Sequence, residues 1–141
     1  SDMVSPIKVL VVDDEDAFRQ SLVGALQKET SFNVKEAADG YEAGRMIGGF
    51  DPDVLVLDIV MPGIDGFRVC SDIRSREKGD QIRIIAVTGY PDEKMFQQAR
   101  EAGADECLAK PVDVNTLIDL IRSQFQSLRP RKTRGRKARK A

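Results

Sequence analysis

Four apolar runs punctuate the chain, and each ends on a residue that handles charge or donates a hydrogen bond. Residues 8–12 run into Asp13 and Asp14, 54–57 into Asp58, 84–87 into Thr88, and 107–109 into Lys110. Segments with helical periodicity lie between them. Strands apolar on both faces and alternating with helices predict a parallel sheet covered on both sides. When all strands run the same way their C-terminal ends share one edge, and that edge is where open α/β sheets place ligands.

The pattern predicts five strands and five helices in strict alternation. The first strand spans Ile7–Val12, and a helix follows over 16–29. Its apolar positions Phe18, Leu22, Ala25 and Leu26 form one stripe towards the sheet. A second strand covers 33–37, and Asp39-Gly40 turns into a weak helix over 41–47 that Gly48-Gly49 should terminate. The third strand, 54–57, is apolar throughout and predicts the sheet centre. Residues 61–66, Met-Pro-Gly-Ile-Asp-Gly, read as a loop directly beyond Asp58. A third helix is expected over 67–76, a fourth strand over 83–87, and a fourth helix over 91–102 with Pro91 in its first turn. The fifth strand is Glu106–Ala109. The last helix carries Val114, Leu117, Ile118, Ile121 and Phe125 at helical spacing. Right-handed crossovers make this an α/β fold, a doubly wound five-stranded parallel sheet.

Composition narrows the class. A chain of 141 residues with 41% hydrophobic residues suits one core. No apolar run is long enough to span a bilayer and no signal-peptide pattern opens the chain, so a cytoplasmic location without membrane contact is expected. With no histidine, and with Cys70 and Cys107 far apart, zinc sites and histidine-based catalysis are disfavoured. Ser1-Asp2-Met3 reads as a cloning remnant, leaving 1–5 as an extension and 6–127 as the domain.

The net charge of −1 hides an asymmetry. Residues 129–141 hold eight Lys and Arg and no acid, so 1–128 carry −9. The segment 128–141 reads as a basic tail or linker. Arg131, Lys132, Arg134, Arg136, Lys137, Arg139 and Lys140 are candidates for DNA or RNA contact. Arg134-Gly135-Arg136 is similar to the core of an AT-hook, without its flanking prolines.

Three acids, a hydroxyl and an ammonium therefore converge on one sheet edge. Acids alone repel one another; a cluster of them makes physical sense around a divalent cation and a phosphoryl group. Each residue also has a plain structural reading. Asp13 and Asp14 could cap the following helix, Asp58 could simply end a strand, Thr88 could bond its own turn, and Lys110 could be a solvated loop charge. Those readings do not explain why all five fall at strand ends.

With these residues in hand, the chain resembles the receiver domain of bacterial two-component response regulators, chemotaxis regulators among them, across 6–127. The carrying motifs are Val11-Val12-Asp13-Asp14-Glu15, the run from Leu57 through Asp58 to Gly66, Val87-Thr88-Gly89, Gly103-Ala104-Asp105 and Lys110-Pro111. The resemblance implies a flavodoxin-like sheet in the order 2-1-3-4-5. It implies that Asp58 is the phosphoacceptor for a sensor histidine kinase or phosphotransfer protein. Mg²⁺ would be held by Asp13, Asp14, Asp58 and the backbone carbonyl of Val60. Lys110 would pair with phosphoryl oxygens, Thr88 would donate its hydroxyl, and the Lys110–Pro111 bond would be cis. The implied role is a signalling switch rather than an enzyme, with homodimerisation or partner docking through the fourth helix, fifth strand and fifth helix.

The sequence departs from that family on the output side. Cys107 stands where a switching Tyr or Phe is usual, so Tyr90 is the candidate mobile aromatic beside Thr88. Cys107 itself reads as a small, partly buried hydrophobe. Val60 and Tyr90 flank the path of the hydrolytic water in this family, and neither can act as a base, which implies a long-lived phosphoryl group. Two other classes remain: a nucleic-acid-associated protein using its basic tail, and an Asp-nucleophile phosphohydrolase, which wants an acid where Val60 stands.

Overall fold

A computed structural model describes residues 5–127. Residues 1–4 and 128–141, and with them the basic-tail candidates Arg131, Lys132, Arg134, Arg136, Lys137, Arg139 and Lys140, lie outside the described residues.

The apolar runs form β1 (Ile7–Val12), β2 (Phe32–Ala37), β3 (Val54–Asp58), β6 (Arg83–Thr88) and β7 (Glu106–Ala109). They pair in parallel in the order β2-β1-β3-β6-β7. Setting aside a short hairpin, β4 (Val60–Met61) with β5 (Ile64–Asp65), this is the expected 2-1-3-4-5 order. The helices are α1 (Asp16–Gln27), α2 (Gly40–Phe50), α3 (Gly66–Arg74), α4 (Glu93–Ala102) and α5 (Val114–Gln126).

Period-two alternation sends side chains of each strand to opposite faces and builds two cores. Leu10, Leu55, Leu57, Ile84 and Ala86 pack with Ala43, Ile47, Cys70, Ile73 and Ala99 of α2, α3 and α4. Val9, Val11, Val54, Val56, Ile85 and Val87 pack with Leu22, Leu26, Leu117 and Ile121 of α1 and α5. Every residue of β3 is buried, as its unbroken apolar character requires of a central strand. Burial of each such side chain is worth about 1.5–3 kcal/mol, which holds the strand ends in place for the charged residues that follow.

Four expectations need correction. The Gly48-Gly49 pair does not end α2, which continues to Phe50; Asp51 ends it in the left-handed conformation, φ 56°, with its N–H on the Ile47 carbonyl. Two helical glycines cost about 1 kcal/mol each, and the packing of Ala43, Ile47 and Phe50 on the core offsets this. Pro91 lies outside α4, because Asp92 is the N-cap and accepts from the Met95 N–H. α3 stops at Arg74 rather than at residue 76. The guanidinium of Arg74 is buried and donates to the carbonyls of Gly103, Gly79 and Ile82, which draws the chain out of the helix. Finally, residues 61–66 are not only loop. They contain the return strand of the β4–β5 hairpin, with Gly63 at φ +74° in its turn.

Candidate functional site

Asp13 follows the last residue of β1, and its backbone is held twice. Its N–H donates to the Ala37 carbonyl at 3.2 Å, and its carbonyl accepts from Arg19 Nη1 at 2.8 Å. One carboxylate oxygen accepts from the Glu15 N–H at 2.9 Å, a turn bond two residues on rather than a helix cap, since the N-cap of α1 is Glu15 and no side chain caps it. The other lies 2.9 Å from the Lys110 ammonium. Asp13 thus serves the turn and the charge cluster together.

Asp58 ends β3 and is 4% exposed. Its Oδ1 accepts from the Val60 N–H at 3.0 Å, and its Oδ2 is 3.5 Å from Lys110 Nζ. The loop beyond it is held tight by Gly66, whose N–H donates to the Ile59 carbonyl at 3.1 Å. A Cβ at Gly66 would fall inside the Ile59 backbone, so only glycine allows this return.

Carboxylate oxygens of Asp13, Asp14 and Asp58 all lie within 4.8 Å of one another, a set able to hold a metal ion. Burial pushes the Asp58 carboxyl up to about 6, and the nearby Asp13 charge adds to the rise, while Lys110 opposes it. For Lys110, burial works against the charge, but the hydrogen bond to Asp13 and the charge of Asp58 outweigh it and hold its pKa above the usual lysine value. The ammonium also lies 3.2 Å from Glu15 and 4.2 Å from the centre of the Phe18 ring. The Lys110–Pro111 bond is cis, as the resemblance implied.

Asp14, Glu15, Asp58, Val60, Met61, Pro62, Gly89, Tyr90 and Lys110 line a cleft of about 590 Å³ at the C-terminal ends of the strands. Val60 and Tyr90 stand at 40% and 65% exposure. Thr88 is fully buried and does not line the cleft. Its hydroxyl accepts from the Tyr90 N–H at 3.0 Å, so here it serves its own turn. Cys107 packs at the edge of the core under α4, and burial pushes its thiol up to about 11.

The structure therefore brings Asp13, Asp14, Asp58, Lys110, Val60 and Tyr90 to one site, with Thr88 just behind it. Sequence reading missed the parts played by Glu15, Arg19 and the Phe18 ring. Phe18 was legible only as a member of the apolar stripe, and an arginine beside that stripe was the available signal for Arg19.

A doubly wound sheet with an acid cluster, a buried strand-end Asp and a convergent Lys defines a class of signalling receivers. Residues 9–122 match the response regulator receiver domain family, and the chain belongs to that family of two-component signalling switches. The chain is 38% identical over 127 residues to the response regulator MprA of Mycobacterium bovis, an alignment covering 88% of this chain and 53% of that protein. It spans about half the length of the curated relatives it matches. Among solved structures, it is similar to a CheY-like receiver domain protein of Methanospirillum hungatei, with a TM-score of 0.80 and 26% identity, covering 87% of this chain and 96% of that one. The chemotaxis response regulator CheY4 of Vibrio cholerae superposes with a TM-score of 0.78 at 29% identity, covering 85% and 99% of the two chains. Among the described residues no helix is long and apolar enough to cross a membrane.

Proposed function

We propose that the domain accepts a phosphoryl group on Asp58 from the phosphohistidine of a sensor kinase or phosphotransfer protein, and that this switches its binding to a partner. The observation that carries the reading is the setting of Asp58 in a cleft, with the Lys110 ammonium 3.5 Å away and two further acids within 4.8 Å. An oxygen of Asp58 forms the bond to phosphorus while the phosphorus–nitrogen bond to the donor imidazole breaks, and the electron pair leaves with that nitrogen.

Asp13, Asp14, Asp58 and the carbonyl of Val60 would hold Mg²⁺, which prefers oxygen donors and keeps several waters. The donor set fits: of the three carboxylates only Asp13 and Asp58 lie beside the Lys110 ammonium, and Asp14 has no hydrogen-bond partner for its side chain among the described residues. When bound, the cation supplies neutralisation of the phosphoryl charge. Lys110 turns from Asp13 to a phosphoryl oxygen and holds it as a point charge. Thr88 donates its free hydroxyl proton to another oxygen, which requires the Thr88–Tyr90 turn to shift because the hydroxyl lies behind the cleft wall.

That shift is the output. Tyr90 is tied to Thr88 through its own N–H, so movement of the hydroxyl carries the exposed ring with it. Cys107, with a small thiol, cannot take the part of a rotating aromatic ring. The α4–β7–α5 face beside Tyr90 is where a second copy or a partner would read the change. Borohydride treatment after phosphorylation tests the site directly: reduction of an acyl phosphate converts the aspartate to homoserine. Homoserine at position 58 supports the reading, and homoserine elsewhere overturns it.

A further inference from the structure

We infer that Arg19 is a positioning residue for the cation site, acting through the peptide that joins Asp13 to Asp14; the inference rests on the metal-dependent reading above. Arg19 leaves the first turn of α1, and its side chain is only 9% exposed. It is tied to three residues at once. Nη1 donates to the Asp13 carbonyl at 2.8 Å, Nε donates to Glu36 of β2 at 2.7 Å, and Nη2 lies 2.9 Å from Asp16 at the start of α1.

The consequence follows from planarity. A peptide unit is rigid, so fixing the Asp13 carbonyl oxygen also fixes the Asp14 nitrogen and the placement of the Asp14 Cα. Asp14 needs that help. Its carboxylate has no side-chain partner among the described residues, whereas Asp13 is held by the Glu15 N–H and by Lys110. Glu36 and Asp16 in turn fix the guanidinium plane, so the direction of Nη1 is not left to a flexible side chain. A planar fork with separate donors is required here, since an ammonium is a point charge on a flexible stem.

Electrostatics makes the opposite prediction, which gives the inference its edge. A guanidinium near three acids repels an incoming divalent cation, so removing its charge should tighten binding if charge were its only effect. Positioning predicts weaker binding instead, by roughly 10-fold or more, in the range found when outer-shell partners of metal ligands are lost.

The test is a titration of Mg²⁺ alone, followed by amide nuclear magnetic resonance spectra, into wild type, Arg19→Gln and Arg19→Lys. The same spectra report whether each variant is folded, and no catalytic readout is needed. Weaker Mg²⁺ binding in both variants, with native-like spectra away from residues 13–15, supports the inference. Arg19→Lys keeps the charge and carries the test should Arg19→Gln fail to fold. Variants that bind as tightly as wild type, or more tightly, overturn it. Wild type that shows no saturable response near residues 13–14 and 58–60 would instead overturn the metal-dependent reading itself.

Discussion

Lys110 holds Asp13 across the sheet: its ammonium, from the end of edge strand β7, lies 2.9 Å from Oδ2 of the residue that follows β1. The approach to Asp58, at 3.5 Å, is longer. In this state Lys110 is committed to the acid pair; in the proposed reaction a cation held at Asp13 would free it for a phosphoryl group. The first prediction concerns that pairing. Lys110→Met leaves buried Asp13 and Asp58 without their ammonium and costs about 1–3 kcal/mol at neutral pH in chelator. Mg²⁺ recovers part of the loss. Urea unfolding with and without Mg²⁺ measures both, and an unchanged midpoint in chelator would contradict the pairing.

Asp58 gives the second prediction, through pH. Its carboxyl rises from the ordinary 3.8 to about 6 on folding, chiefly because it is buried. The folded chain therefore binds this proton more tightly than the unfolded chain. Its contribution to stability is fully present below the unfolded value and is lost as pH rises through the folded one, amounting to at most about 3 kcal/mol. In chelator, Asp58→Asn should melt higher than wild type at neutral pH, with the gap closing as the medium is acidified below the unfolded pKa. Mg²⁺ should stabilise wild type more at neutral than at acid pH. A gap that widens on acidification would show the sign to be wrong.

Val60 and Tyr90 give the third. Both line the cleft, both are exposed, and neither offers a carboxylate or amide to orient or deprotonate water. The phosphoryl group should persist for minutes or longer after the donor is removed. Val60→Asn or Tyr90→Glu should shorten its life by about 10-fold by supplying a polar group at the mouth. Time-resolved intact mass reads the decay, and variants that decay no faster than wild type would remove these two residues from the account.

Cys107 supplies the fourth. Burial lifts its thiol from the ordinary 9.0 to about 11, so thiolate is scarce at neutral pH. Alkylation of the native protein should run about 100-fold slower than that of a free cysteine, because the thiolate is the nucleophile. Cys70 is fully buried and should be protected as well. Fast labelling at Cys107 under native conditions would reopen a redox role for it.

Much of this was legible in the sequence because burial leaves a strong signature. Three of the four apolar runs became the interior strands β1, β3 and β6 and the fourth the edge strand β7, and parallel strands put Asp13, Asp14, Asp58, Thr88 and Lys110 along one edge. Local geometry was less visible. Gly48-Gly49 looks like a helix end, yet α2 passes through it because tertiary packing of Ile47 and Phe50 outweighs glycine propensity. The 61–66 segment carries turn residues, and nothing in it announces that Val60–Met61 pairs with Ile64–Asp65. Arg74 and Arg19 look like surface charges at the level of composition. Arg74 is buried because the carbonyls of Gly103 and Ile82 meet its guanidinium, and Arg19 because the Asp13 carbonyl and the Glu36 carboxylate of β2 meet its own; the contacts to Gly103 and Glu36 come from segments that no local pattern links to them.

The central claim is that Asp58 takes up a phosphoryl group with help from a cation held beside it. Intact mass after incubation with acetyl phosphate tests this most directly, comparing wild type with Asp58→Asn, and Mg²⁺ with chelator. The account predicts one added phosphoryl group on wild type with Mg²⁺, and none on Asp58→Asn or in chelator. An adduct that forms equally well on Asp58→Asn, or without any divalent cation, would contradict it.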